Sequence, residues 1–295
     1  MGKSKILGTG LGGLVGSRIV ELLIDYYAFE NISRKTGIDI THKDSLIKKV
    51  KSVLDAKIIL HMAAKADVDE CEKDKPLAEN GEAWKINVLG TKNVVEAARE
   101  TGKKLIYIST DFVFDGKKQS GAYREEDGRR AINWYGQTKL EGEKIVESAG
   151  IPFIILRIAY PYRAIFAKKK DFIRAIAARL GEKKPISVVS DQVITPTFID
   201  DVAGALDRVI QTNAVGIYHA VGSQFVTPHQ AAVAIVKTFR YDRSLISKTT
   251  RREYFKNKAA RGFRLALSND KIRKLGVNMR TFAEGLGEVK RQQSV

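Results

Sequence analysis

The sequence predicts an α/β protein: a doubly wound parallel sheet with a smaller C-terminal α/β region. Three observations carry this expectation. Short continuous apolar runs such as Lys57–Ala63 (K-I-I-L-H-M-A) alternate with amphipathic stretches such as 82–101. Runs of that kind fit strands covered on both faces, and strands separated by crossover helices pair in parallel. The first run, Lys5–Thr9, leads straight into glycines and then a helical pattern. Finally, 295 residues, 44% of them hydrophobic, suffice to bury a large core.

The elements follow in order. Lys5–Thr9 is the first strand. Val15–Leu23 is the helix after it, with Val15, Ile19, Leu22 and Leu23 on one face. Tyr26–Ile32 reads as a second strand, and Asp44–Leu54 as a helix opening near Asp44 or Ser45. Lys57–Ala63 is a buried strand. The helix 82–101 stops at Gly102. Lys104–Ser109 (K-L-I-Y-I-S) is the next buried strand. Trp134–Ser148 is a helix that Gly150 and Pro152 terminate, and Phe153–Ile158 (F-I-I-L-R-I) is the strand beyond it. After Tyr160 the rhythm loosens. Asp171–Leu180 is a helix, Ile186–Val189 a short strand and Asp200–Gln211 a helix. Its two leading carboxylates suit the positive end of the dipole. From Gly216 short strands and helices mix with basic residues.

Composition limits the function classes. Lys+Arg number 51 against 34 Asp+Glu, a net charge of +17. That favours anionic partners. The densest patches, Lys168–Lys170 and 248–261, carry no nucleic-acid motif, so nucleic acid is not an expected partner. The charge reads as a lysine-rich solvated surface whose field helps draw in a phosphate-bearing ligand. The longest apolar runs, such as Ile151–Ala159, are too short for a bilayer, so no membrane association is expected. The opening M-G-K-S-K-I-L-G has no apolar signal core. Cys71 stands alone, which excludes an internal disulfide and a cysteine zinc cluster. A cytoplasmic location is expected. Carboxylates around Cys71 raise its thiol and leave it inert. The four histidines have no ligand spacing, so no metal is expected. His61, in a buried strand, reads as a packed core histidine. Trp84 and Trp134 read as packing residues. Of Phe112 and Phe114, which alternate, one is expected in the core and one at a pocket.

Gly8–Gly16 reads G-T-G-L-G-G-L-V-G. It parses as G-x-G-x-x-G through Gly8, Gly10 and Gly13, or as G-x-x-G-x-x-G through Gly10, Gly13 and Gly16. Either pattern, between a strand and a helix, builds a dinucleotide phosphate loop over Gly10–Gly16, including Leu11, Gly12, Leu14 and Val15. Glycine permits the turn and the close approach of backbone to pyrophosphate, and the helix N-terminus offers free N–H groups. About twenty residues on, where an acidic residue would bind the ribose 2′-hydroxyl, Asn31–Lys35 holds no carboxylate. Arg34 and Lys35 suit a 2′-phosphate instead. NADPH is therefore the expected cofactor, with NADH as the alternative.

Lys104–Ser109 should end at the carboxyl edge of the sheet, where α/β ligands sit. Thr110 follows it. One crossover later N-W-Y-G-Q-T-K (Asn133–Lys139) sets Tyr135 and Lys139 four apart, on one helical face. A nearby ammonium stabilises phenolate and lowers a tyrosine pKa. Lys139 can also reach ribose hydroxyls, and Thr110 can hydrogen-bond a reacting carbonyl. The expected catalytic set is Thr110, Tyr135 and Lys139.

With these residues the chain resembles the extended short-chain dehydrogenase/reductases over nearly its whole length. Among them it is most similar to the dTDP-4-dehydrorhamnose reductases. The motifs occur in order: G-L-G-G-L-V-G (Gly10–Gly16), A-A-K-A-D-V-D-E-C-E (Ala63–Glu72) and N-V-L-G-T (Asn87–Thr91). Then come I-S-T-D-F-V-F-D-G (Ile108–Gly116), Y-R-E-E-D (Tyr123–Asp127) and I-N-W-Y-G-Q-T-K-L-E-G-E (Ile132–Glu143). S-D-Q-V-I-T-P-T (Ser190–Thr197) and G-I-Y-H-A-V-G-S (Gly216–Ser223) follow.

The resemblance implies a Rossmann domain at 1–160, with 186–215 returning to it, and a substrate-binding region at 161–185 and 216–295. It implies Tyr135 as general acid, Lys139 as its pKa partner and ribose ligand, and Thr110 as the hydroxyl of the triad. Gly10, Gly13 and Gly16 would line the pyrophosphate and Asp39 and Ile40 the adenine. Ala63, Ala64, Lys65 and Asn87 would run along the cofactor. Val68, Asp69, Asp111, Phe112 and Tyr160 would face the substrate. The implied reaction is hydride transfer from NADPH to C4 of a nucleotide-linked 4-keto-6-deoxy sugar, and the implied assembly is a homodimer.

Three departures lie on the substrate side. Ala131 stands where the family carries proline, R-I-A-Y-P-Y (Arg157–Tyr162) has Tyr160 in a tryptophan's place, and R-G-F-R (Arg261–Arg264) replaces an Arg-Pro. A nucleotide-sugar epimerase or dehydratase is a competing reading, but the paired carboxylates that dehydratases place after the threonine are missing: Asp111 is followed by Phe112. A second competitor is a non-catalytic NADP-binding subunit. I-Y-I-S-T-D-F-V-F-D-G, Y-R-E-E-D and L-E-G-E-K are also similar to the regulatory β subunit of methionine adenosyltransferase.

Overall fold

The structure, a computed structural model, describes residues 2–294. Six parallel strands form the main sheet: β1 (Ser4–Thr9), β2 (Tyr27–Ile32), β3 (Ala56–His61), β4 (Lys104–Thr110), β5 (Phe153–Ile158) and β6 (Gly216–His219). Their order is β2-β1-β3-β4-β5-β6. The pleat sends alternate side chains to opposite faces. Ile6, Leu60, Ile106 and Ile154 pack in one layer with Ile19 and Leu23 of α1 (Leu14–Leu23) and with Val202, Leu206 and Val209 of α5 (Ile199–Gln211). Leu7, Ile59, Leu105 and Ile155 pack in the other with Leu46 and Val50 of α2 (Lys43–Ser52), Val94 and Ala98 of α3 (Gly90–Thr101), and Val146 of α4 (Trp134–Glu147). Two covered faces explain the unbroken apolar runs.

β1 leads to β2 on one side, and the chain then crosses back to place β3 on the other. The carboxyl ends of β1 and β3 therefore open a crevice where the winding reverses, the usual ligand site of such sheets.

The expected helix over 82–101 is interrupted. Glu82–Trp84 is α-helical, Lys85–Leu89 has π-helical hydrogen bonding, and α3 follows. The side chain of Asn87, inside the π turn, donates to the Lys65 carbonyl and to Thr138 Oγ1 on α4, and accepts from the Lys65 N–H. The helical period shifts where this side chain must reach sideways.

The second region has its own apolar cluster, including Tyr162, Ile173, Phe198, Phe282 and Leu286. Ile186–Val189, expected with the segments that return to the main sheet, pairs instead with Ile246–Thr249. Gly216–His219, expected with the substrate region, enters the main sheet beside β5. Four-residue strands carry no period that names a partner. The helix α5 does return: Arg18 of α1 bridges Asp200, and Tyr27 donates to Asp207. Asp200 and Asp201 open α5 as expected, and each also has a cation, Asp201 pairing with Arg280. Among the described residues no helix is long and apolar enough to cross a membrane.

Candidate active site

The loop after β1 is held by glycines at close approaches. Gly10 has φ +73°, and a Cβ there would lie 2.6 Å from the Ala63 nitrogen. A Cβ at Gly16 would lie 2.7 Å from the Gly10 carbonyl oxygen. Gly13 N-caps α1 without a side-chain hydrogen bond, so the first-turn N–H groups of Leu14, Val15 and Gly16 face no capping side chain. Gly8 sits inside β1, where a Cβ would strike the Leu11 side chain. The spacing through Gly10, Gly13 and Gly16 is thus the one that shapes the loop. Leu11 turns its side chain into the core, while Gly12 is exposed and its carbonyl accepts from Lys168 at 3.4 Å. These features fit a dinucleotide pyrophosphate: backbone without side chains, at an uncapped helix N-terminus.

A pocket of about 290 Å³ continues from the loop, lined by Gly10, Gly13, Arg34, Asp39, Ile40, Ala63 and Ala64. Arg34 opens a 3₁₀ turn just after β2 and is exposed on the pocket rim. Lys35 is exposed and does not line the pocket. Asp39 accepts from the Thr41 N–H and hydroxyl, and the backbone bond holds its carboxyl below the ordinary range. Lys65 is near, but its ammonium is tied to Asp74 and Glu82.

The candidate catalytic set is assembled by one close contact. Asn133 caps α4 by accepting from the Gly136 N–H at 2.8 Å. A Cβ at Gly136 would lie 2.3 Å from the Phe112 carbonyl oxygen. The start of α4 thereby rests on the turn that Thr110 opens, and Tyr135 packs edge-on against Phe112 in that turn. Phe114 is buried in the core, whereas Phe112 packs edge-on against Tyr135 and stacks on Tyr160.

The electrostatics depart from the expectation that Lys139 lowers the Tyr135 pKa. Burial raises the Tyr135 phenol well above its usual value, the nearby Thr110 hydroxyl opposes this, and the Asp111 charge reinforces it. Lys139 Nζ donates to the Ile108 carbonyl at 2.8 Å and lies 3.9 Å from the Tyr107 ring centroid. It is itself pushed down to about 7 by burial, with Glu143 opposing. A lysine so deeply buried cannot relieve its neighbour cheaply. Tyr135 is therefore a protonated phenol at neutral pH.

Asp111 is buried, its Oδ1 accepting from Thr110 and its Oδ2 without a partner, and burial pushes it up to about 7. Val68 and Asp69 open the helix Val68–Asp74, and Asp69 accepts from Arg261 and from the Ala259 N–H. Tyr160 has a left-handed backbone, φ +43°, and borders a pocket of about 500 Å³ lined also by Phe172, Gln192, Tyr254 and Phe255. Sequence reasoning missed Gln192 and the partnership of Asp69 with Arg261, because no local signal links positions 192 residues apart.

Residues set aside behave as packing groups. His61 lies between Thr9 and Thr91 hydroxyls and is driven down to about 3 by burial, with Lys139 adding to it. Cys71 is raised to about 12, mainly by burial rather than by its acidic neighbours. Trp84 and Trp134 stack at 5.6 Å. Among the described residues no three His, Cys, Asp or Glu side chains cluster as metal ligands.

A family model described as RmlD substrate binding domain matches residues 4–294. The dTDP-4-dehydrorhamnose reductase of Aggregatibacter actinomycetemcomitans is 30% identical, covering 79% of this chain and 78% of that one. The methionine adenosyltransferase 2 subunit beta of Pongo abelii is also 30% identical, covering 78% of this chain and 69% of the other. The crystal structure of dTDP-4-dehydrorhamnose reductase from Bacillus anthracis in complex with NADP superposes with a TM-score of 0.89 at 28% identity, covering 99% of this chain and 100% of that one.

Proposed function

The chain belongs to the RmlD substrate binding domain family, and on that premise we propose that it is an NADPH-dependent reductase of a nucleotide-linked 4-keto-6-deoxy sugar. One observation carries the reading: Gly136 seats the start of α4 against the Phe112 carbonyl, which brings Tyr135 beside the turn that Thr110 opens, at the sheet edge where the glycine loop also opens. The Bacillus anthracis relative, crystallised with NADP, supports the cofactor assignment.

NADPH would supply hydride to C4 of the sugar. The N–H groups of Leu14, Val15 and Gly16 would receive the pyrophosphate, and Arg34 the 2′-phosphate. Lys139 would hold ribose hydroxyls and supply positive charge beside Tyr135. Tyr135 would give its proton to the sugar O4 as negative charge develops there, and Thr110 would donate to the same oxygen. Phe112 and Tyr160 would keep water from the reacting centre. The aromatic pocket beyond Tyr160 has the volume and lining for the nucleoside end of the substrate. We expect a homodimer in the cytoplasm, which sedimentation would test.

The test is NADPH oxidation with a dTDP-4-keto-6-deoxy sugar. Turnover should vanish in Tyr135→Phe while NADPH affinity stays within a few-fold. Lys139→Met should weaken both. Full turnover in Tyr135→Phe would remove that residue as the acid. A second reading, a non-catalytic NADP-binding subunit, is favoured by the similarity to the methionine adenosyltransferase subunit. Tight NADPH binding without oxidation of any 4-keto sugar nucleotide, together with co-purification of a synthetase, would select it.

A further inference from the structure

Tyr135, Lys139 and Glu143 follow one another at intervals of four on α4, so successive Cβ atoms are roughly 5–6 Å apart on one face. Two of the three have a role in the proposed reaction. The third, Glu143, is completely buried, and buried carboxylates are rare unless held. We propose that Glu143 is a positioning residue of the proton-transfer site: anchored by Arg157 and Arg129 one helical turn from Lys139, its carboxylate favours the charged form of that lysine. This rests on the reading of Lys139 given above.

The anchoring is specific. Arg157, itself fully buried, grips Glu143 with two hydrogen bonds of 2.9 Å, from Nε to Oε1 and from Nη2 to Oε2. Arg129 Nη1 adds a third at 2.9 Å and reaches on to Glu147. Arg157 Nη1 in turn meets His219 Nε2 and the Glu125 carbonyl. Burial opposes ionisation of Glu143, but Arg157, with smaller help from Ser109 and Arg129, outweighs it, and the carboxyl sits below its ordinary range.

The other groups around Lys139 cannot supply that negative charge. His61 on β3 is neutral, and its charged form would repel the lysine. Tyr107 on β4 presents its ring face to Nζ and keeps its proton, because burial raises it. Tyr135 on the same helix is a protonated phenol. Arg157 on β5 and Arg129 in the preceding loop are cations. His219 on β6 is held neutral by burial and by Arg157. Asp111 lies toward Tyr135 and Tyr160 and holds its own proton up to about pH 7. Burial strips Lys139 of charge, and the carboxylate one turn away opposes that loss. Without it less of the lysine would be charged near pH 7, leaving less positive charge to offer the phenolate that forms when Tyr135 gives up its proton.

The experiment is the affinity of the full chain for NADPH, measured by titration calorimetry from pH 6 to 9. NADH, which lacks the titrating 2′-phosphate, is run in parallel. Wild type should lose affinity as pH rises through the Lys139 titration. Glu143→Gln should move that midpoint down by about one pH unit, and Arg129→Gln, which leaves the carboxylate less compensated, should move it up. Lys139→Met should abolish the dependence. A midpoint unchanged in Glu143→Gln, with the dependence still lost in Lys139→Met, would overturn the inference and reduce Glu143 to packing. A dependence that survives in Lys139→Met would instead overturn the reading of Lys139. Should Glu143→Gln fail to fold, Glu143→Asp, which withdraws the carboxylate by one methylene, decides in its place: a midpoint moved down supports the inference, and an unchanged one overturns it.

Discussion

At the scale of single residues, the site stores two costs. Tyr160 adopts φ +43° without being glycine, which costs on the order of 1–3 kcal/mol. The ring it carries stacks on Phe112 beside Tyr135. Asp111 is the second cost. Its folded pKa, about 7, lies above its unfolded value near 4, so the folded chain binds the extra proton between those limits. Stability from this group is present at low pH and is lost as pH rises through about 7. Asp111→Asn removes the effect, so the mutant should gain on wild type by up to about 4 kcal/mol at pH 8 and show no gain near pH 4. Urea midpoints at the two pH values check this; an equal gain at both would mean the carboxyl does not titrate as its burial requires. Arg34 gives a binding prediction. Arg34→Ala should raise the NADPH Kd about tenfold and leave NADH unchanged, a selective loss of roughly 1.4 kcal/mol. Equal losses for both cofactors would place Arg34 away from the 2′-phosphate.

At the scale of elements, glycine decides how closely helices approach the site. Gly136→Ala sets a methyl group against the Phe112 carbonyl, so α4 must move away from the Thr110 turn. Turnover should fall at least tenfold, because displacements of about 1 Å cost that much in positioned catalysis. Gly204, in α5, is exposed and its added methyl meets nothing within 4 Å. Gly204→Ala should therefore stabilise the chain by roughly 0.5–1 kcal/mol with unchanged turnover, as read from urea midpoints and initial rates. The π turn at Lys85–Leu89 belongs to the same scale. The hydrophobic period read 82–101 as a single helix. It could not register that Asn87 must join the Lys65 backbone to Thr138 on α4, a bond between distant segments.

At the scale of the whole molecule, burial of two histidines sets the acid limit. His61 and His219 are both held near pKa 3, chiefly by burial, while their unfolded values lie near 6.5. The unfolded chain thus binds more protons between those limits, and stability is lost as pH falls from about 6.5. Each histidine contributes roughly 1.4 kcal/mol per pH unit. A fall in urea midpoint from pH 7 to pH 5, offset in part by the proton Asp111 takes up in the same window, should follow in wild type and be smaller or absent in His61→Gln. An identical fall in that variant would assign the acid sensitivity elsewhere. The net charge of +17 adds self-repulsion on the same side of neutrality.

The sequence by itself determined the alternation of strand and helix, the parallel sheet, the glycine loop and the spacing of Tyr135 and Lys139. All are local: each rests on periodicity, on a backbone conformation that only glycine tolerates, or on residues one helical turn apart. The tertiary structure alone decided the rest. It paired Ile186–Val189 with Ile246–Thr249 and sent Gly216–His219 into the main sheet. It turned Lys139 toward Ile108 and Tyr107, raised Tyr135 instead of lowering it, and set Glu143 on Arg157. Partner choice between short strands and the ionisation of buried groups depend on what surrounds them, and those neighbours come from remote parts of the chain.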